Sequence, residues 1–183
     1  MSIIKKNRSF FIFLAKFGLS YLLLSGMYWL YLSQYDAAKM EPDGMTRLVA
    51  QQSCDFDKFL GEDVRIRQRK REASFRVFVN NKSVARVVEG CNAVSVMILF
   101  AAFIVAFSTT FKRTALYIIA GVLIIHILNV IRVGMLSLGF YYYYDYRRLL
   151  HDIIFPLFIY GVVFILWILW VIKFSGNAAK VKG

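Results

Sequence analysis

Four long apolar stretches are separated by polar segments along the chain. The first covers about Phe10 to Leu32 and is interrupted only by Lys16, and the second runs from about Ala93 to Phe111. The third extends from about Ala115 to Tyr142 and contains His126, Asn129 and Arg132; the last runs from about Ile153 to Ile172. A helix of about 20 apolar residues crosses a bilayer core, so each stretch predicts a transmembrane helix. The segment from Ser33 to Gly90 follows a different period. Phe75, Val77 and Val79 alternate with Arg76 and Phe78, which predicts a strand. Asn80-Asn81-Lys82-Ser83 supplies turn residues, Val84–Val88 can return as the partner, and Val64-Arg65-Ile66-Arg67 reads as a further strand. The expected fold class is an all-α polytopic membrane protein with about four transmembrane helices and a small β-hairpin element.

Composition strengthens this picture. Of 183 residues, 59% are hydrophobic and only 19% charged, where a soluble domain carries about 25% charged residues. The net charge of +12 does not point to nucleic acid, because much of the basic excess flanks apolar runs, as in membrane proteins. Placing the N-terminus in the cytoplasm gives the inner segments Lys5, Lys6, Arg8, Lys112, Arg113, Lys173, Lys180 and Lys182, and no acid. All eleven acidic residues, from Asp36 to Asp152, then fall outside. The positive-inside rule favours this orientation, with both termini cytoplasmic. The apolar stretch after Lys5, Lys6 and Arg8 is too long for a signal-peptide core and no small-residue cleavage site follows it closely, so an uncleaved first span is expected. The expected organisation is residues 1–32 as cytoplasmic N-terminus and first span, 33–90 as an extracytoplasmic segment, 91–172 as three spans carrying the active site, and 173–183 as a cytoplasmic basic tail.

Three chain-distant residues of complementary chemistry share one level in this topology. Cys91 stands between the hairpin and the second span, and His151 at the start of the fourth. Arg132 is roughly 25 Å along the third span, counted from its inner end. A lone cysteine near a helix end is usually a packing residue, and a histidine at a membrane boundary is often only interfacial. An arginine within a span is costly in lipid and is a functional candidate by default, its plain alternative being to snorkel to the interface. Together the three suit acyl transfer. A thiolate attacks a carbonyl, an imidazole moves the proton, and a guanidinium stabilises the oxyanion. Asn129, one turn from Arg132, is a candidate to orient it, and Asp152 a candidate to orient His151.

The blocks Glu89-Gly90-Cys91-Asn92-Ala93, Asn129-Val130-Ile131-Arg132-Val133 and Leu150-His151-Asp152 resemble the three signature blocks of the exosortase/archaeosortase family, in matching order and placement. The resemblance covers about Val88 to Val171, and the short length is similar to the compact type F branch of the Bacteroidetes. It implies a membrane-embedded cysteine transpeptidase or protease, analogous to the sortases, with Cys91, Arg132 and His151 catalytic. It also implies a location in the cytoplasmic membrane with an extracytoplasmic active site. The implied substrates are exported proteins with a C-terminal motif, a transmembrane helix and a basic tail. Neither cofactor nor metal is expected. Many relatives have Cys-Ser-Gly or Cys-Ala-Gly where this chain has Cys91-Asn92-Ala93, and Gly where it has Phe155.

The remaining features have plainer readings. A Cys54–Cys91 disulfide would inactivate the proposed nucleophile and is not expected. His126 reads as packed or hydrogen-bonded, and Tyr141–Tyr144 as an interfacial aromatic belt. The run Arg65, Arg67, Arg69, Lys70 and Arg71 reads as a solvated strand face, or as a binder of anionic headgroups or of an acidic part of a substrate. Two rival functions are a non-enzymatic scaffold or assembly factor whose hairpin binds a partner, and a small transporter subunit in which Arg132 lines an anion path.

Overall fold

The structure, a computed structural model, describes residues 7–35, 40–69, 72–108 and 110–175. Lys5, Lys6, Asp36, Lys70, Arg71 and the tail from residue 176, all used in the topology and basic-run arguments, lie outside the described residues. In chain order the elements are α1 (Arg8–Leu32), α2 (Gly44–Phe59), β1 (Val64–Gln68), β2 (Phe75–Val79), β3 (Lys82–Val87), α3 (Val94–Ala106), α4 (Phe111–Tyr142) and α5 (Tyr144–Lys173). Three of these, α1, α4 and α5, are long and apolar enough to cross a membrane. The second expected span is realised as a shorter apolar helix, α3, of 13 residues. At about 1.5 Å per residue it is roughly 20 Å long, below the thickness of a hydrocarbon core. It is cut short at its start by Ala93, whose φ of 59° is left-handed, and at its end by a turn at Phe107.

The chain divides into two compact units. One comprises Met1–Leu30, Val94–Ile124 and Val162–Gly183. It is joined largely by aromatic rings, with Phe13 against Phe107 at 4.5 Å, Phe103 stacked on Trp167 at 4.4 Å, and Tyr117 against Trp170 at 4.8 Å. The Phe100 ring lies where a Cβ on Gly121 would sit, 2.2 Å away, so that glycine admits the ring. Helix α1 buries none of its residues and exposes Leu19, Leu22 and Trp29. An apolar helix exposed all round is stable when hydrocarbon, not water, surrounds it.

The other unit comprises Tyr31–Ala93 and Ile125–Gly161. Its sheet is an antiparallel meander in the order β1-β2-β3. Asn80 and Asn81 both take positive φ, 48° and 65°, as a two-residue primed turn requires. The turn is therefore tighter than the four residues expected, and β3 begins at Lys82. Val77 pairs with Ala85 and Phe78 with Ser83, leaving Val84 as the extra residue of a bulge. The inner face of the sheet packs Val64, Val77, Val79 and Val87 against Val49, Ala50 and Cys54 of α2, with Val133 of α4 in the same core.

Helix α2 was not anticipated from the hydropathy pattern. Asp43 caps it by accepting from Thr46 N at 2.9 Å, and its buried positions Thr46, Val49, Ala50, Ser53, Cys54 and Asp57 fall on one face at helical spacing.

Candidate functional site

Every residue singled out for chemistry lies in this second unit. Cys91 ends a short 3-10 turn, Glu89–Cys91, that follows β3. It is a free, half-buried thiol, and its backbone is held from two sides. Asn129 Nδ2 donates to the Cys91 carbonyl at 2.8 Å. The next residue, Asn92, is buried and donates through Nδ2 to Thr46 Oγ1 at 3.3 Å, and Thr46 is itself bonded to the cap Asp43. Ala93, the residue after Asn92, takes a left-handed backbone with φ of 59°, a conformation that glycine adopts without the cost a side chain brings.

Asn129 is fully buried on α4 and links two of the predicted residues. While its amide nitrogen serves Cys91, its Oδ1 accepts from Arg132 Nη1 at 3.1 Å. The spacing of three residues puts Asn129 and Arg132 on one helix face. Arg132 is half-buried, and its Nε is buried without a hydrogen-bond partner among the described residues. Its charge lies within electrostatic reach of Cys91 and of Tyr160 on α5.

His151 and Asp152 lie in a π turn, Leu150–Ile154, within α5. Successive residues of an α-helix do not face each other, yet in this wider turn His151 Nδ1 meets Asp152 Oδ1 at 2.7 Å. Both side chains are exposed. Single π turns inside helices are frequent at functional sites.

Cys91, His151 and Asp152 line one cavity of about 610 Å³, and Arg132 is not among its lining residues. The cavity walls come from β2, β3, α4, the start of α5 and the residue after β1, and they include Arg69, Arg76, Arg86, Arg147 and Arg148. Sequence reasoning missed Arg86, Arg147, Arg148 and Tyr160. Arg147 and Arg148 directly precede the His151 block, which was the one signal available.

Of the other residues singled out, Cys54, His126 and Tyr142 do not line this cavity, whereas Tyr144 does. Cys54 is buried, its Sγ donates to the Val64 carbonyl at 3.3 Å, and it is free rather than disulfide-bonded. Burial pushes its thiol above the ordinary range. His126 Nε2 contacts Gln52 Oε1 at 2.7 Å. Tyr142 donates to Glu62 Oε1 at 2.7 Å, Tyr144 stacks under Arg147 at 4.3 Å and Tyr141 lies under Lys82 at 6.0 Å, so three of the four tyrosines make polar or cation–π contacts. Asp57, which drew no attention in the sequence, is buried against α4, where a Cβ on Gly134 would lie 2.4 Å from its Oδ1. Burial, and secondarily the charge of Glu62, push its carboxyl up to about 7.

Comparison with protein-family models, curated proteins and solved structures finds no match to this chain.

Proposed function

We propose that this chain is a membrane-embedded cysteine transpeptidase or protease of the exosortase type, acting on C-terminal sorting signals of exported proteins. The observation that carries the reading is the shared cavity of Cys91, His151 and Asp152, together with the Asn129 bridge from the Cys91 backbone to Arg132. Cys91 Sγ attacks the scissile carbonyl carbon as its proton passes to His151. Asp152 holds the imidazole, and Arg132, bonded to Asn129 and outside the cavity lining, stabilises the developing oxyanion through its charge, which lies within electrostatic reach of Cys91. The peptide C–N bond breaks, His151 returns the proton to the leaving amine, and the acyl group remains on Cys91 as a thioester. An acceptor amine or water then attacks the thioester, the C–S bond breaks, and the thiol is restored.

The released fragment is a helix with a basic tail, and the chemistry occurs at the extracytoplasmic boundary of the cytoplasmic membrane. Both termini are cytoplasmic, with α3 crossing alongside its flanking residues. Reporter fusions near residues 60 and 112 test this side assignment; a cytoplasmic signal at 60 would remove the active site from the outer face.

The chemistry is tested by mixing membranes holding the full chain with a tagged candidate substrate, quenching in acid and measuring intact mass. The expected result is an adduct on Cys91 that hydroxylamine releases, absent in Cys91→Ala. An adduct that persists in Cys91→Ala would reject the nucleophile.

A further inference from the structure

The walls of the cavity say what kind of chain it takes. Among the described residues five arginines line it, Arg69, Arg76, Arg86, Arg147 and Arg148, and one acid, Asp152, which is held by His151. Across the outer face of the sheet, Arg67 stands opposite Arg76 and Arg76 opposite Arg86. Like charges placed directly opposite on neighbouring strands destabilise a sheet, so this ladder is an expense that stability alone does not explain. Its geometry already fits a carboxylate: Glu72 bridges Arg86, at 2.7 Å, and Arg69. Among the described residues no acid pairs with Arg76, Arg147 or Arg148.

A second observation concerns β3. It is the last strand of the order β1-β2-β3 and has one strand neighbour. The cavity is lined by Ser83, Val84, Ala85 and Arg86 in succession. Beyond the bulge, Ala85, opposite the buried Val77, and Arg86, opposite Arg76, point to opposite faces, so a cavity touching both meets the strand along its open edge. That edge is a template for another strand, and it leads through Val88 directly to the turn that ends in Cys91.

We infer that the substrate is bound here as an extended acidic peptide, added to the open edge of β3 with its carboxylates on the cavity arginines, which brings its backbone to Cys91. This names the substrate class of the proposed cysteine enzyme and rests on that reading for the identity of the cavity. Main-chain bonds to β3 set the register, and the arginines select acidic side chains.

The test uses the full chain carrying Cys91→Ala in nanodiscs of zwitterionic lipid. The probe is a fluorescent peptide of about eight residues alternating Thr and Glu, a length suited to one strand, and binding is read by anisotropy. Replacing Glu by Gln is expected to weaken binding at least about tenfold, since charge-assisted bonds are lost. Methylating alternate backbone nitrogens is expected to do the same by removing edge hydrogen bonds, at least about tenfold in sum. Both changes leave the protein untouched. On the protein side, Arg76→Gln with Arg86→Gln weakens the parent peptide by a like factor. Arg65→Gln, whose arginine pairs with Asp63 outside the cavity, leaves binding unchanged.

Equal binding of the methylated peptide overturns the strand addition, and equal binding of the Gln peptide overturns the charge selection. Failure of the parent peptide to bind overturns both. Its displacement by anionic phospholipid in the nanodisc assigns the arginines to headgroups and likewise overturns the proposal. Docking and chemistry separate cleanly: peptide binding without a thioester in the wild type rejects the enzyme reading, and a thioester without peptide binding rejects only the docking mode.

Discussion

Removing the charge-bearing capacity of Asp57 should change how the stability of the helix–sheet unit depends on pH. The side chain is only 1% exposed, and its Oδ1 has no hydrogen-bond partner among the described residues. Burial, and then the charge of Glu62, raise its carboxyl from 3.8 to about 7. In the unfolded chain the group ionises near 3.8, whereas the folded unit keeps its proton until about 7. Folding therefore takes up a proton between those limits. The stability contributed by this group is highest below about pH 4, falls as pH rises, and is lowest above about pH 7. The full change is on the order of 4 kcal/mol, from about 1.4 kcal/mol for each unit of pKa difference. Asp57→Asn keeps the shape and cannot ionise, so it should lack this component of the pH dependence, with a gain of a few kcal/mol over wild type near pH 8. Thermal unfolding by circular dichroism, on the full chain in non-ionic detergent at about pH 5 and about pH 8, measures this. Asp55→Asn, at an exposed carboxylate paired with Lys58, is the control and should track the wild type. Parallel pH profiles for wild type and Asp57→Asn would refute the reasoning.

Three further outcomes follow from the contacts around Cys91 and α4. Asn129→Leu removes the bond to the Cys91 carbonyl and leaves Arg132 Nη1 unpaired; it should cost about 2–4 kcal/mol, read as a lowered unfolding midpoint, and abolish substrate conversion. Gly134→Ala drives a methyl to within 2.4 Å of Asp57 and 2.8 Å of Phe56; the expected loss is about 1–3 kcal/mol by the same melt. Ala93→Gly should be well tolerated, while Ala93→Val forces a branched side chain into a left-handed backbone and should lower the midpoint by about 1 kcal/mol or more.

Some of this was legible in the sequence and some was not, for identifiable reasons. The strands at Val64 and Phe75 show in the alternation of apolar residues with arginine, because the sheet has one buried and one open face, whereas β3 starts at Lys82, two residues before the expected Val84, in what reads as turn. The Asn129–Arg132 contact follows from helical spacing. Helix α2 escaped notice because its buried stripe includes Thr46, Ser53 and Asp57, polar residues satisfied or neutralised only in the fold. The brevity of α3 was hidden because Ala93 and Phe107, both apolar, stand where its backbone turns. The bridge from Asn129 to Cys91 joins a side chain to a carbonyl far away in the chain, and a carbonyl carries no sequence signal. Arg147 and Arg148 resemble ordinary flanking charges until the cavity sets them beside Arg76 and Arg86.

The most direct measurement of the central proposal is mass spectrometry of a tagged exported protein, bearing a C-terminal motif, helix and basic tail, co-expressed with either the wild type or Cys91→Ala. The substitution removes one sulfur atom from a half-buried position, so membrane insertion and abundance, followed by immunoblot, should persist. With the wild type, the recovered protein should have lost its helix and tail and carry either a new C-terminal adduct or a free carboxylate. With Cys91→Ala it should keep both segments intact. Identical cleavage with the two proteins would contradict a nucleophilic role for Cys91 and the transpeptidase reading with it.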